Sequence, residues 1–279
     1  MTIDLHTHTT ASDGSFTPEE IIERAHQNNI KALAITDHDT VSGLDEAMRI
    51  GKKYGIEVIP GIEFSTRYMK EDVHIVGLYI DWHNDILLKE LEEVKRDRET
   101  RNQRMVNRLQ ELGYAISFKE AEKLAGGDIL TRAHFAKLLV NKGYFEDMPE
   151  VFDKVLGTDG QGYVRRKTFT PEQAIRLIKA AGGLGIIAHP LLYKFDNEQL
   201  DTLVKNLKII GLDGIEAYYY SFTDDETSSI KSLAEKYDLL ISGGSDFHGD
   251  NRHGVDVGRG YGNLNIPYSL IEKMKERLK

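Results

Sequence analysis

The chain has 279 residues, no cysteine, ten histidines, and 36 Lys+Arg against 45 Asp+Glu, a formal net charge of −9. Without thiols it has no disulfide scaffold, thiolate zinc site, iron–sulfur cluster or cysteine nucleophile, so any metal has to be held by imidazole and carboxylate. The acidic balance argues against a globally cationic nucleic-acid or membrane binder, and 40% hydrophobic with 29% charged residues is a globular composition. The N-terminal MTIDLHTHTT lacks the basic start and apolar run of a signal peptide, and no stretch nears the roughly 18 apolar residues of a membrane span. The expectation is a cytoplasmic protein.

Short β-rich runs are predicted near residues 2–5, 32–36, 57–60, 73–80, 184–188, 214–218 and 239–243, with helical patterns between them. Thr17 with Glu20 three residues later opens a helix from Pro18 to Asn28, and a second runs from Val41 to Tyr54 with Gly55 as its stop. Thr170, Pro171 and Gln173 repeat the start signature for a helix to about Ala181. This alternation predicts a mainly parallel sheet, closed or nearly closed into a TIM-like (β/α) barrel, with an open doubly wound sheet as the fallback. From 83 to 165 the β signal disappears. The spacing of Leu87, Leu88, Leu91 and Val94, then Met105, Leu109 and Leu112, then Phe135, Leu138 and Leu139, reads as successive helices of an inserted subdomain between core segments 1–82 and 166–279. Within it Arg101, Arg104 and Arg108 share one helical face, which reads as solvated because Glu99 and Glu111 are near, with a polyanion-steering patch as the alternative.

Six histidines, His6, His8, His38, His74, His189 and His248, fall within or just beyond a predicted strand, and the same zones carry Asp13, Glu63 and Asp246. In a parallel barrel the C-terminal strand ends form one rim, where residues distant in sequence converge. His6 and His8 are two apart, so in an extended chain both imidazoles project from one side; Asp246 and His248 repeat that geometry near the other end. Asp37 and Asp39 beside His38 read as an exposed acidic turn. Nine nitrogen and oxygen ligands exceed one tetrahedral ion and suit two or three, with a carboxylate bridging. Clustered ions of this kind clamp phosphate oxygens and activate water. No G-x-S-x-G elbow, P-loop or dinucleotide-binding glycine motif is present.

From DLHTHTTASDG through ITDHDT, GIEFS, HIVGL and AHP to GGSDFHG, the sequence resembles the PHP (polymerase and histidinol phosphatase) superfamily. The resemblance implies a distorted (β/α)7 barrel with three divalent ions at its strand C-termini, Mn²⁺ first and Fe²⁺ or Zn²⁺ as alternatives. It implies that His6 and His8 bind one ion with Glu63 as bridge and Asp246, that Asp13, His38 and His248 bind a second, and that Glu63, His74 and His189 bind a third. The insertion after HIVGL and the segment TRAHFAKLLV resemble the branch of nucleoside-bisphosphate phosphatases and 5′-to-3′ exonucleases of the RNase AM type. By that similarity Arg132 and His134 hold the substrate phosphate, and His134 serves the leaving oxygen; opening the helix that carries Phe135 is the other reading for both. Asp13 is expected to combine ligation with catalysis.

The expected activity is hydrolysis, through a metal-bridging hydroxide, of a phosphate ester of a nucleotide or short RNA or DNA, with no membrane and no obligate protein partner. A histidinol-phosphate phosphatase and a non-catalytic PHP module are the alternatives; a carbon–nitrogen amidohydrolase would want a metal-bridging lysine after a strand. His26 and His83 read as surface or packing residues, His253 as part of a polar loop with the substrate rim as the alternative, Glu216 as placed to orient an imidazole, and Tyr218 to Tyr220 as barrel wall rather than a base-stacking platform.

Overall fold

The computed structural model describes residues 2–125, 130–165 and 168–279. Seven strands, β1 (Thr2–Asp4), β2 (Ile30–Ile35), β3 (Glu57–Tyr68), β4 (Glu71–Leu78), β5 (Leu184–Ile187), β6 (Gly214–Tyr219) and β7 (Leu240–Gly244), form one sheet in sequence order. Its ends meet: Leu5 N donates to Gly243 O at 3.1 Å, Asp246 N to His6 O at 2.8 Å and His8 N to Phe247 O at 2.9 Å. The barrel expected from the sequence is therefore present, with one strand reversed. Only Met69 and Lys70 separate β3 from β4, too few for a parallel crossover, so the two pair antiparallel from Gly61–Leu78 to Tyr68–Glu71. β4 is also antiparallel to β5, while the remaining pairs are parallel. Reversal brings the N-terminal part of β4, with His74, to the rim where the other strands end. The predicted strand near 57–60 is the first third of β3, so Glu63 lies inside a strand rather than after one.

Strand side chains divide with period two. Ala32, Ala34, Leu184 and Ile186 join the barrel interior with Ile3, Leu5 and Leu240, whereas Leu33, Ile35 and Ile187 face the outer helices. In chain order the helices are α1 (Pro18–Gln27), α2 (Leu44–Tyr54), α3 (Asp85–Glu111), α4 (Phe118–Ala125), α5 (Arg132–Asn141), α6 (Met148–Val151), α7 (Pro171–Ala180), α8 (Asn197–Ile210), α9 (Asp224–Lys236) and α10 (Ser269–Arg277). The capping boxes read at Thr17–Glu20 and Thr170–Gln173 are formed, and Gly55 ends α2 with φ 66°. From α10, Ile271 and Met274 join the interior cluster.

The central segment contains α3 (Asp85–Glu111), α4 (Phe118–Ala125), α5 (Arg132–Asn141) and α6 (Met148–Val151), which runs into a π-helical turn, Phe152–Leu156. The apolar groups at Leu87–Val94 and Met105–Leu109, read above as separate helices, lie on the single 27-residue α3. Its first half packs Leu87, Leu91 and Val94 with the barrel helices; its second half contributes Met105, Val106 and Leu109 to a separate cluster with Phe135, Leu139, Val151 and Leu156. Among the described residues no helix is long and apolar enough to cross a membrane.

Candidate metal centre and substrate cleft

His6 and His8 continue β1 in extended form, with ring centroids 5.2 Å apart. Close approach of β7 requires glycine there, since a Cβ on Gly244 would lie 2.3 Å from that of His6. The chain then turns sharply through Gly14, where a Cβ would lie 2.4 Å from His8 O, and so presents Asp13. Asp37 fixes that turn: Thr9 N and Thr9 Oγ1 donate to it at 2.7 Å each, and Ser12 Oγ at 2.6 Å. Asp37 and Asp39 are thus buried, and the exposed acidic turn read from the sequence is corrected. Their alternation about an inward-facing His38 turns them into the framework.

Glu63 is fully buried at the centre of five imidazoles. Its Oε2 lies 3.2 Å from His6 Nε2, 3.1 Å from His8 Nε2 and 3.1 Å from His38 Nδ1, while Oε1 lies 3.0 Å from His74 Nδ1 and 3.2 Å from His189 Nε2. Asp246 Oδ1 faces His8 Nε2 at 3.2 Å and His6 Nε2 at 3.6 Å; Asp13 Oδ1 faces His248 Nε2 at 3.4 Å. Three sets of candidate ligand atoms lie within 4.8 Å of one another among the described residues: His8, Asp13, His38 and His248; His6, His8, Glu63 and Asp246; and His38, Glu63 and His74. All nine residues named from the sequence therefore meet at one rim, with His189 touching Glu63 from outside these three sets.

The donor chemistry fits cations. His6 Nδ1 is 3.2 Å from Glu216 Oε1 and His248 Nδ1 donates to Asp246 O at 2.8 Å. With a cation bound, these contacts set tautomers in which each Nε2 turns a lone pair toward the ion; without one, a proton on His6 supplies the positive charge that the facing carboxylate oxygens need. His6 Nε2, both nitrogens of His8, His38 Nδ1 and Glu63 Oε2 are buried without a hydrogen bond. Burial opposes ionisation of Glu63, but His6, His38 and His74 outweigh it and hold its carboxyl well below the usual range. Burial also pushes His38 down to about 3, whereas for His8 it is overcome by Asp246 and Glu63, which raise the ring to about 9.

Supporting contacts fix the ring positions. Glu216, read from the sequence as an orienting residue, also accepts from His189 N at 2.6 Å through Oε2, holding His189 at a φ of 27°. Tyr193 OH accepts from His74 N at 2.9 Å and donates to Ala188 O at 2.6 Å, joining β4, which carries His74, to the segment after β5 that leads into His189. Tyr219 belongs to the barrel wall as read, yet its hydroxyl also donates to Asp246 Oδ2 at 2.8 Å. Arg252 donates to the Asp246 carbonyl at 2.8 Å. Sequence reasoning missed Tyr193, Tyr219 and Arg252 in these roles, and the only local signal was their closeness to AHP, GIEAYYY and SDFHG.

Over the cluster opens a cavity of about 200 Å³ lined by Asp13, His38 and His74 below and by Arg98, Arg101 and Arg132 from the central segment. Arg132 Nη2 donates to Asp72 Oδ2 at 2.6 Å and Nη1 to Leu156 O at 3.3 Å, and the guanidinium stands over the Tyr163 ring at 5.4 Å. Arg101 is buried in this wall, correcting its placement on a solvated face; Arg104 and Arg108 are exposed and donate to Arg165 O and Gln161 O. Arg98 pairs with Asp39. His134 is buried and its Nδ1 accepts from Thr131 N at 3.0 Å, so the neutral ring carries its proton on Nε2. Burial lowers its basicity, with Lys137, Arg98 and His248 reinforcing and Asp13 opposing. His26, His83 and His253 are exposed. A larger open hollow of about 580 Å³, lined by α1 and residues 249–256, contains none of the nine rim residues.

Three similarities bear on this site. A 5′-3′ exoribonuclease of Haemophilus influenzae is 38% identical over 88% of this chain and 89% of its own length. A 3′,5′-nucleoside bisphosphate phosphatase of Chromobacterium violaceum is 36% identical over 92% of this chain and 90% of its own. A solved structure described as an amidohydrolase from C. violaceum, with bound sulfate and no metal, superposes with TM-score 0.89 at 34% identity, covering 99% of this chain and 97% of that one. The PHP domain profile matches residues 4–250, and with the nine rim residues meeting as described, the chain belongs to the PHP domain family.

Proposed function

We propose that this protein is a metal-dependent phosphoesterase acting on a phosphate ester of a nucleotide or short oligonucleotide, with three divalent ions, Mn²⁺ foremost, held by His6, His8, Asp13, His38, Glu63, His74, His189, Asp246 and His248. The observation that carries the reading is the set of buried, cation-seeking lone pairs around Glu63 beneath a cleft walled by three guanidinium groups. Ions bound there would lower the pKa of water and neutralise charge on the phosphate.

The chain's own groups divide the remaining work. Arg132, oriented by Asp72, has more N–H donors than its two contacts use and offers the rest to phosphate oxygens. Arg98 and Arg101 add charge from the same wall. His134, next to the cleft residues Thr131, Arg132 and Ala133 and with its proton on Nε2, would donate to the departing ester oxygen, and Asp13 at the cleft floor would orient the attacking water. The sulfate of the C. violaceum structure has the shape and charge of a phosphate. A carbon–nitrogen hydrolase would bring a neutral carbonyl over the ions and would have little use for three guanidinium groups. With this substrate class goes the expectation of a cytoplasmic enzyme.

The test is a substrate panel with Mn²⁺-reconstituted protein: a nucleoside 3′,5′-bisphosphate, a 5-nucleotide RNA and histidinol phosphate. Release of phosphate or mononucleotide from the first two, abolished in a His6→Ala/Asp246→Ala variant, is expected. Preference for histidinol phosphate, or a rate unchanged in that variant, contradicts the reading.

A further inference from the structure

Asp246 is gripped on its outer side as closely as on its inner one. Oδ1 faces His6, His8 and His248. Oδ2 receives Tyr219 OH at 2.8 Å and Arg252 Nη1. The same Arg252 nitrogen donates to the Asp246 carbonyl at 2.8 Å, which also accepts from His248 Nδ1 at 2.8 Å. Asp246 needs this hold, because its φ of 50° lies in the left-handed region that β-carbon-bearing residues seldom occupy without support. Arg252 is itself fixed: its guanidinium lies 5.6 Å over the Tyr220 ring, which packs edge-on against Tyr261 at 5.1 Å.

A carboxylate beside a divalent ion can ligate through one oxygen or two. Two protein donors on Oδ2 remove the second option and leave Oδ1 alone to point at the imidazoles. We propose that Arg252 and Tyr219 are positioning residues that restrict Asp246 to one ligating oxygen and thereby set how tightly the ion nearest His6 and His8 is held. This rests on the reading of Asp246 as a metal ligand. Two effects of Arg252 compete. Its charge repels a nearby cation, but it also holds the aspartate aimed; loss of an outer partner to a ligand lowers metal affinity by roughly 10- to 100-fold. Orientation therefore outweighs repulsion.

The experiment is calorimetric titration of EDTA-dialysed protein with Mn²⁺. Arg252→Met weakens one binding step by about tenfold, Arg252→Lys, which keeps a charge and a donor, recovers most of that, and Tyr219→Phe gives a smaller loss in the same step. In an Asp246→Asn background, Arg252→Met adds nothing further. Wild-type affinity in both Arg252→Met and Tyr219→Phe overturns the proposal, as does an Arg252→Met loss that persists undiminished beside Asp246→Asn. Melting in EDTA checks the fold; if Arg252→Met does not fold, Tyr219→Phe, which leaves the 249–256 loop intact, decides. A wild-type protein that binds no Mn²⁺ overturns the metal-centre reading itself and this proposal with it.

Discussion

Arg98 of α3 and Asp39 of the loop after β2 form a buried ion pair that ties the helical segment to the metal centre. The other Asp39 oxygen accepts from Ser65 N at 2.9 Å, and Asp39 N donates to Glu63 O at 3.0 Å, so the pair is one bond from the strand bearing Glu63 and one residue from His38. Removing one member of a buried pair leaves the other's charge under-compensated, at a cost of about 3–5 kcal/mol. Arg98→Met is expected to lower unfolding stability by about 3 kcal/mol, and the double variant Arg98→Met/Asp39→Asn to recover part of it. Denaturant titration of the four proteins measures the coupling; additive losses would mean that the two residues act separately.

Glu63 gives a sharper test of the centre. It contacts five imidazoles through two oxygens, so Glu63→Gln changes every ligand set it shares while keeping its volume. Charge stabilisation of several kcal/mol is at stake, equivalent to a fall in turnover of at least about a thousandfold. EDTA dialysis should silence the wild type and added Mn²⁺ should restore it, whereas Glu63→Gln should stay silent and retain fewer ions by elemental analysis. Full metal content with full activity in Glu63→Gln contradicts the assignment.

Asp72 and Arg132 predict a binding effect with a defined pH range. Burial favours the protonated form of Asp72, but Arg132 overrides it and holds the carboxyl below its ordinary value. A carboxylate depressed on folding contributes stability above its unfolded pKa, about 3.9, and loses it as pH falls through the lower folded value. The pair is therefore intact throughout the neutral range, and pH-dependent changes in KM there do not arise from it. Arg132→Ala should raise KM about tenfold or more through loss of a charged hydrogen bond worth about 1.5–3 kcal/mol. Asp72→Asn, which leaves the guanidinium unanchored, should raise KM less. The substrate phosphate titrates near about pH 6, so the expected pattern is a KM ratio of variant to wild type that stays constant from pH 5.5 to 8; a ratio that changes with pH would mean that the pair titrates in that range.

Most of the nine rim residues were legible in the sequence because they sit beside an apolar run whose end is easy to locate, and a barrel gathers such ends at one rim; Asp13, in a turn well past β1, was legible only through the motif around it. His74 reached that rim by a route the spacing did not show. Its strand runs backwards, and the two-residue Met69–Lys70 link is the physical reason. What periodicity could not reveal were pairings between distant segments. Asp39 reads as a surface charge until Arg98, 59 residues later, is placed against it, and Asp37 until Thr9 and Ser12 are. Arg101 shares a helix face with Arg104 and Arg108, but α3 passes from barrel to helical cluster near that point, so one face is buried at Arg101 and solvated a turn later. Helical spacing fixes a face, not what lies opposite it.

His134 combines a structural and a chemical role, and substitution can separate them. Its Nδ1 accepts from Thr131 N, closing a capping box at the start of α5, while the proposed function assigns Nε2–H to the leaving group. Glutamine at the third helical position is an ordinary capping-box acceptor, so His134→Gln preserves the helix start and removes the imidazole. His134→Ala removes both, at a capping cost of about 1 kcal/mol. If the ring serves the leaving oxygen, turnover falls by about 10²- to 10⁴-fold in both variants, with Mn²⁺ content unchanged, while only the alanine variant melts earlier. The substrate dependence strengthens the test. An ester with a nitrophenolate leaving group needs no proton, so both variants should lose far less activity on it than on a nucleotide. Equal losses on the two esters would reduce His134 to its cap.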